Sequence, residues 1–126
     1  MKVRILDNSI RFRLMQSEVK QFGQEGRIVA QILFGIGSDK VLKYQLHQST
    51  EHETLSADIE DNCITIYVPQ AIAQEWVSSS QVGLSHQLVI GDNQELSILI
   101  EKDFQCLTDR PGEDESDAFP NPNTEC

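Results

Sequence analysis

Lys2-Val3-Arg4-Ile5-Leu6-Asp7-Asn8-Ser9-Ile10-Arg11-Phe12-Arg13-Leu14 is two alternating runs around a turn. Val3 and Ile5 alternate with Lys2 and Arg4, and Ile10, Phe12 and Leu14 alternate with Arg11 and Arg13, which is the period of a strand with one buried face. Asp7-Asn8-Ser9 between them is turn chemistry. The stretch therefore reads as a hairpin, and the same alternation runs on through the chain. Ile28, Ala30, Ile32, Phe34 and Ile36 share one face of a long strand, with Gly35, Gly37, Ser38 and Asp39 supplying a turn into Leu42, Tyr44 and Leu46. Leu55, Ala57 and Ile59 precede Asp61-Asn62 and then Ile64, Ile66 and Val68. Val82, Leu84, Leu88 and Ile90 lead through Gly91-Asp92-Asn93 into Leu96, Ile98 and Ile100. Tight turns between alternating strands require antiparallel pairing of the strands they join.

Two segments leave this period. Ser17 to Gln24 places Val19 and Phe22 three apart, with Ser17 as expected N-cap and Gly26 as a C-terminal stop. Pro69 to Ser78 carries Ile72, Ala73, Trp76 and Val77 on one helical stripe, with the proline suited to the first turn. The expectation is an α+β domain: a curved, mainly antiparallel sheet of about eight strands, at most an incomplete barrel, with two short helices and the Trp76 stripe across its concave face. No internal repeat is read. The domain is expected to span residues 1–107, with residues 108–126 an acidic, proline-containing tail.

The chain has 126 residues and a formal net charge of −10. That length suits one core but not two. The balance argues against nucleic-acid binding, which needs a basic footprint. The charged, alternating start is unlike a secretory signal, and no apolar run approaches the roughly 20 residues needed to cross a bilayer. A cytoplasmic protein without membrane contact is expected, and Cys63, Cys106 and Cys126, odd in number and widely spaced, fit reduced thiols.

Charge is polarised along the chain. Residues 1–20 carry Lys2, Arg4, Arg11, Arg13 and Lys20 against Asp7 and Glu18, whereas residues 101–126 hold eight acids against Lys102 and Arg110. Arg11 and Arg13 point the same way from one strand, and Arg4 on the neighbouring strand joins them, giving guanidinium forks suited to phosphate or carboxylate. The bland reading is a solvated sheet face. In the tail, Phe119 stands alone as a large apolar residue beside Pro120 and Pro122, so it suits a hook anchored by one aromatic ring, with the acids from Glu113 to Asp117 facing Arg11 and Arg13.

No catalytic constellation is legible. His86 falls on an apolar strand face without a partner on its strand, where a hydrogen-bonded core histidine is the ordinary outcome. His47 and His52 lie near Glu51 and Glu53, but zinc needs three or four convergent ligands and no such spacing is present. Cys106 sits among acids, which oppose a thiolate, and is expected to pack at the end of the last strand. No metal site and no cofactor are expected.

Asp103-Phe104-x-Cys106-Leu107-x-x-Arg110-x-Gly112-Glu113-Asp114-Glu115-x-Asp117-x-Phe119-Pro120-Asn121-Pro122, together with Asn8-Ser9-Ile10-Arg11-x-Arg13-Leu14-x-Gln16-Ser17-Glu18-Val19, resembles a small family of uncharacterised bacterial proteins. The resemblance spans nearly the whole chain. It implies no activity, cofactor or partner, but it does imply that the tail is a patterned element. The leading expectation is a small non-enzymatic binding or assembly domain that uses its hook on itself, on another copy or on an unknown protein. The alternative is a barrel that binds or hydrolyses a phosphate- or carboxylate-bearing ligand through Arg4, Arg11 and Arg13. A weaker third is a metal-responsive protein using His47, His52 and tail carboxylates.

Overall fold

The computed structural model describes residues 1–104 and 117–120. Eight strands and two helices follow in the order β1 Lys2–Leu6, β2 Ser9–Leu14, α1 Gln16–Glu25, β3 Arg27–Leu33, β4 Val41–Ser49, β5 Ser56–Glu60, β6 Cys63–Pro69, α2 Gln70–Ser78, β7 Gly83–Gly91 and β8 Gln94–Lys102. The α+β class and the strand and helix positions match the alternation. The expected single sheet does not form. There are two four-stranded sheets, ordered β1-β2-β8-β7 and β3-β4-β6-β5, and they do not close into a barrel.

All four hairpins are antiparallel, as their short turns require, but the sheets are mixed: β2 runs parallel to β8, and β4 parallel to β6. Parallel pairs in most proteins are covered on both faces and read as continuous apolar runs. Here both parallel ladders keep one polar face, with Arg11 and Arg13 on one and Gln45 and Thr65 on the other, so they alternate like antiparallel strands.

The chain is internally repeated, which corrects the reading of the sequence. Each half is hairpin, helix, hairpin, and the halves exchange hairpins: the first of one half pairs with the last of the other. The buried residues correspond at one constant sequence spacing, Phe12 with Ile66, Leu14 with Val68, Val19 with Ala73 and Phe22 with Trp76. So do the junctions. Ser97 N donates to Asn8 O at 3.1 Å and Lys43 N to Asn62 O at 2.9 Å, while Asp7 and Asp61 hold equivalent turn positions at φ 48° and 50°.

The core lies between the inner sheet faces, where the rings of Phe12 and Tyr44 are 6.3 Å apart, and is sealed at one end by the helices. Phe22 meets Trp76 edge-on at 6.3 Å, and both are fully buried. Gly23 permits this approach, because a Cβ there would stand 2.7 Å from Val77 Cγ1. The helix termini differ from expectation by small shifts. Met15, not Ser17, is the N-cap of α1, and Glu18 accepts a hydrogen bond from Met15 N at 2.9 Å. Pro69 ends β6 and caps α2 rather than opening its first turn. Strand β3 ends at Leu33, so Phe34 and Ile36 lie beyond the ladder and are exposed.

Candidate anion-binding face

Register alone assembles the outer face of the first sheet. Arg4 pairs with Arg11, Arg11 with Leu99 and Leu99 with Ser85, while Lys2 pairs with Arg13, Arg13 with Glu101 and Glu101 with Gly83. Side chains two residues apart on a strand share a face, so the four basic side chains of β1 and β2 stand together with Glu101 as the only acid in these rows. Arg13 Nε donates to Glu101 Oε1 at 2.7 Å, and Arg11 Nε stands 3.7 Å from the same oxygen. One carboxylate thus sits between two guanidiniums. It serves Arg13 fully and Arg11 only by charge: Arg11 Nε is buried and makes no hydrogen bond among the described residues. Lys2 pairs with Asp103 at 3.1 Å.

A groove of about 370 Å³ runs along this face over a largely apolar floor that includes Leu6 and Leu99, with Arg4, Arg11, Ser9, Ser85, Ser97 and Gln87 around it. Ser97 Oγ donates to Gln87 Oε1 at 2.7 Å. Ser9 Oγ likewise donates to Leu6 O at 2.7 Å, so the guanidiniums, the Ser85 hydroxyl and the Gln87 amide are the groups left to donate to an oxyanion. The groove is open and lies outside the core, so it does not exclude water in the manner of a closed active site.

The repeat supplies an internal comparison. On the second sheet, Arg4, Arg11, Arg13 and Glu101 correspond to Asp58, Thr65, Tyr67 and His47, and the equivalent groove combines Arg27 and Lys43 with Asp58 and Glu60. The basic row is therefore not a by-product of the fold but belongs to one half alone. His47 and His52 meet on this second face with Tyr67 between them; His52 stacks on the tyrosine at 4.8 Å and its Nδ1 lies 2.7 Å from Ser49 Oγ. Among the described residues no three His, Cys, Asp or Glu side chains gather as a metal site. His86 is half-buried on the inner face of β7, in a small cavity with Leu55, Ile72 and Gln81.

The described part of the tail lies across the N-terminus of α1. Gln16 N donates to Asp117 O at 2.9 Å, Ser17 N to Asp117 Oδ1 at 3.2 Å, and Ser17 Oγ to Asp117 Oδ2. Asp117 thus satisfies amides that a helix leaves open at its start, in a position where the helix dipole favours negative charge. Phe119 N bonds Asp103 O at 2.7 Å, and its half-buried ring meets Phe104 edge-on at 5.6 Å. Ala118 is buried, and Pro120 is exposed. Asp117 faces α1 and not Arg11 or Arg13. Pro122, Cys106, Cys126, the acids Glu113 to Glu115 and the 107/108 boundary lie outside the described residues.

Lys102 was not singled out in the sequence. It occupies a core-facing position of β8, 5 % exposed, with Nζ donating to Ser79 O at 2.7 Å and lying 5.6 Å from the Trp76 ring centre and 5.5 Å from that of Phe119. Burial holds its pKa below the ordinary 10.5. Its alternation with Ile98 and Ile100 was the available signal. Asp117→Ala is expected to lower stability by about 1 kcal/mol, the usual worth of a helix cap, read as a lower urea midpoint at unchanged slope.

The geometry defines a two-sheet, internally repeated α+β domain with one basic sheet face. Residues 1–123 match a family of unknown function (DUF7009), and the chain belongs to that family. No curated protein and no solved structure matches it. No helix among the described residues is long and apolar enough to cross a membrane.

Proposed function

We propose that the chain is a non-enzymatic binding domain that holds an oxyanion, a phosphate or carboxylate group of a ligand or partner, on the outer face of its first sheet. One observation carries the reading: Arg11 Nε is buried without a hydrogen-bond partner among the described residues, in a groove that also holds Arg4 and three serines. A buried N–H without a hydrogen bond is costly even where its charge is balanced by Glu101, and an oxyanion is a group that relieves it. The openness of the groove supports binding over hydrolysis, since among the described residues no nucleophile stands beside a base there and none closes it to water. Residues 1–107 are the binding body in this reading. Within the tail from 108 onward, Asp117 to Pro120 act as a strap anchored by Phe119 on its own domain, rather than a hook held out for another protein.

Amide spectra recorded during titration with inorganic pyrophosphate at low salt test this. Shifts are expected at Arg4, Arg11, Ser85 and Ser97, with affinity falling as salt rises. Arg4→Gln with Arg11→Gln should weaken binding at least about tenfold, or 1.4 kcal/mol, while stability changes by no more than about 1 kcal/mol, the contribution of a partly exposed ion pair such as Arg11–Glu101. Millimolar pyrophosphate that moves none of these signals would sink the proposal.

A further inference from the structure

The end of the molecule opposite the helices is where its exposed apolar surface collects. Strands β2 and β6 run from their turns toward α1 and α2, and β8 and β4 run parallel to them, so all four hairpin turns lie at one end. The turns are tied pairwise: Asn8 Nδ2 donates to Glu95 O at 2.6 Å and Asn62 Nδ2 to Asp39 O at 3.3 Å. Leu33, Phe34 and Ile36 project from the β3–β4 hairpin, with Ile36 completely exposed. Val89 and Ile90 do the same at the equivalent place on the β7–β8 hairpin. Ile5 and Ile59, equivalent to each other, flank a crevice of about 320 Å³ that opens between the sheets over Ile64, Ile66 and Leu96. Among the described residues, every large apolar side chain that is exposed lies toward this end except Val29 and Val82. Single exposed apolar side chains mean little, but their gathering at one end of a domain marks an interaction surface.

The same end is acidic. Each turn carries one aspartate, Asp7, Asp39, Asp61 and Asp92, flanked by Glu60 and Glu95, and Lys40 is the only cation within the turns. That ring selects among occupants. A second copy meeting this end face to face would oppose acid to acid around its rim, a repulsion that costs specificity and on-rate. A partner with cations beside its apolar anchors gains at both. The crevice accepts an apolar side chain, and the aspartates accept the cations.

We propose that the turn end is a docking surface for an apolar, positively charged polypeptide segment of another protein. It adjoins the basic sheet face, sharing Ser9 and Ile10 with the groove there, but rests on other side chains and stands whether or not that face binds an oxyanion. The probe is a short synthetic amphipathic peptide of leucine and lysine, with a leucine–glutamate peptide of the same pattern as control. Amide shifts are expected at the four turns and at Ile5 and Ile59, and not along Arg4, Arg11 and Ser85. Phe34→Ser with Ile59→Ser, both at exposed positions, should keep the melting temperature and weaken the peptide at least tenfold. Equal binding of the leucine–glutamate peptide, shifts confined to other parts of the chain, or retained affinity in the double variant would each overturn the proposal. Sedimentation showing a dimer that Ile59→Ser dissociates would also overturn it, because the occupant would then be a second copy.

Discussion

Trp76→Ala is expected to lower stability by about 3 to 5 kcal/mol, the cost of deleting a fully enclosed aromatic side chain. Trp76 is wholly buried, meets Phe22 edge-on and donates from Nε1 to Val82 O at 3.1 Å. Its loss removes apolar area, opens a cavity where the two helices join and leaves a carbonyl without that donor. Lys102 above the ring also loses its aromatic neighbour. Urea denaturation with a midpoint equal to the parent's would show that the helix pair does not bear on the core in this way. Because Phe22 stands at the equivalent place in the other half, Phe22→Ala should cost a comparable amount, and the two effects should not add, since the rings touch.

Phe119→Ala comes next, at about 1.5 kcal/mol, the low end of the range for burying a large apolar side chain, because the ring is only half withdrawn from water on docking. The Asp117 cap on α1 contributes less, so raising salt should change stability far less than this substitution does. The variant carries a second signature through Lys102. Its folded-state pKa is lowered by burial, so the unfolded chain binds that proton more tightly, and stability should rise with pH from the folded pKa up to the ordinary 10.5. Without the Phe119 ring, Lys102 is rehydrated and this rise should shrink. Melting temperatures across the alkaline range, parent against variant, measure it. An unchanged slope together with an unchanged midpoint would mean that the ring contributes nothing to the docked tail.

Local structure was legible because its causes are local. Alternation located every strand, Asp7-Asn8, Asp61-Asn62 and Asp92-Asn93 located three tight turns, and the Ile72, Ala73, Trp76 stripe located the better helix. The repeat was also written in the chain, as Asp7-Asn8-x-Ile10-x-Phe12-x-Leu14-x-Gln16 beside Asp61-Asn62-x-Ile64-x-Ile66-x-Val68-x-Gln70. It is hard to read because the outward-facing strand residues of the two halves differ, Arg11 against Thr65 and Arg13 against Tyr67, and the match is confined to the turn pair, the alternating apolar positions and the first helical residue.

What the amino-acid sequence determined by itself was the set of elements and which side of each faces the core, since both follow from period and turn chemistry within a few residues. Which hairpins share a sheet was decided only in three dimensions. A strand that alternates is equally able to pair parallel or antiparallel, and the helix after β2 carries the chain across to the other sheet, leaving the place beside β2 to β8. The same long-range packing put Glu101 between Arg11 and Arg13, Asp117 at the start of α1 and Lys102 between two rings, contacts between residues far apart in the chain that no local pattern encodes.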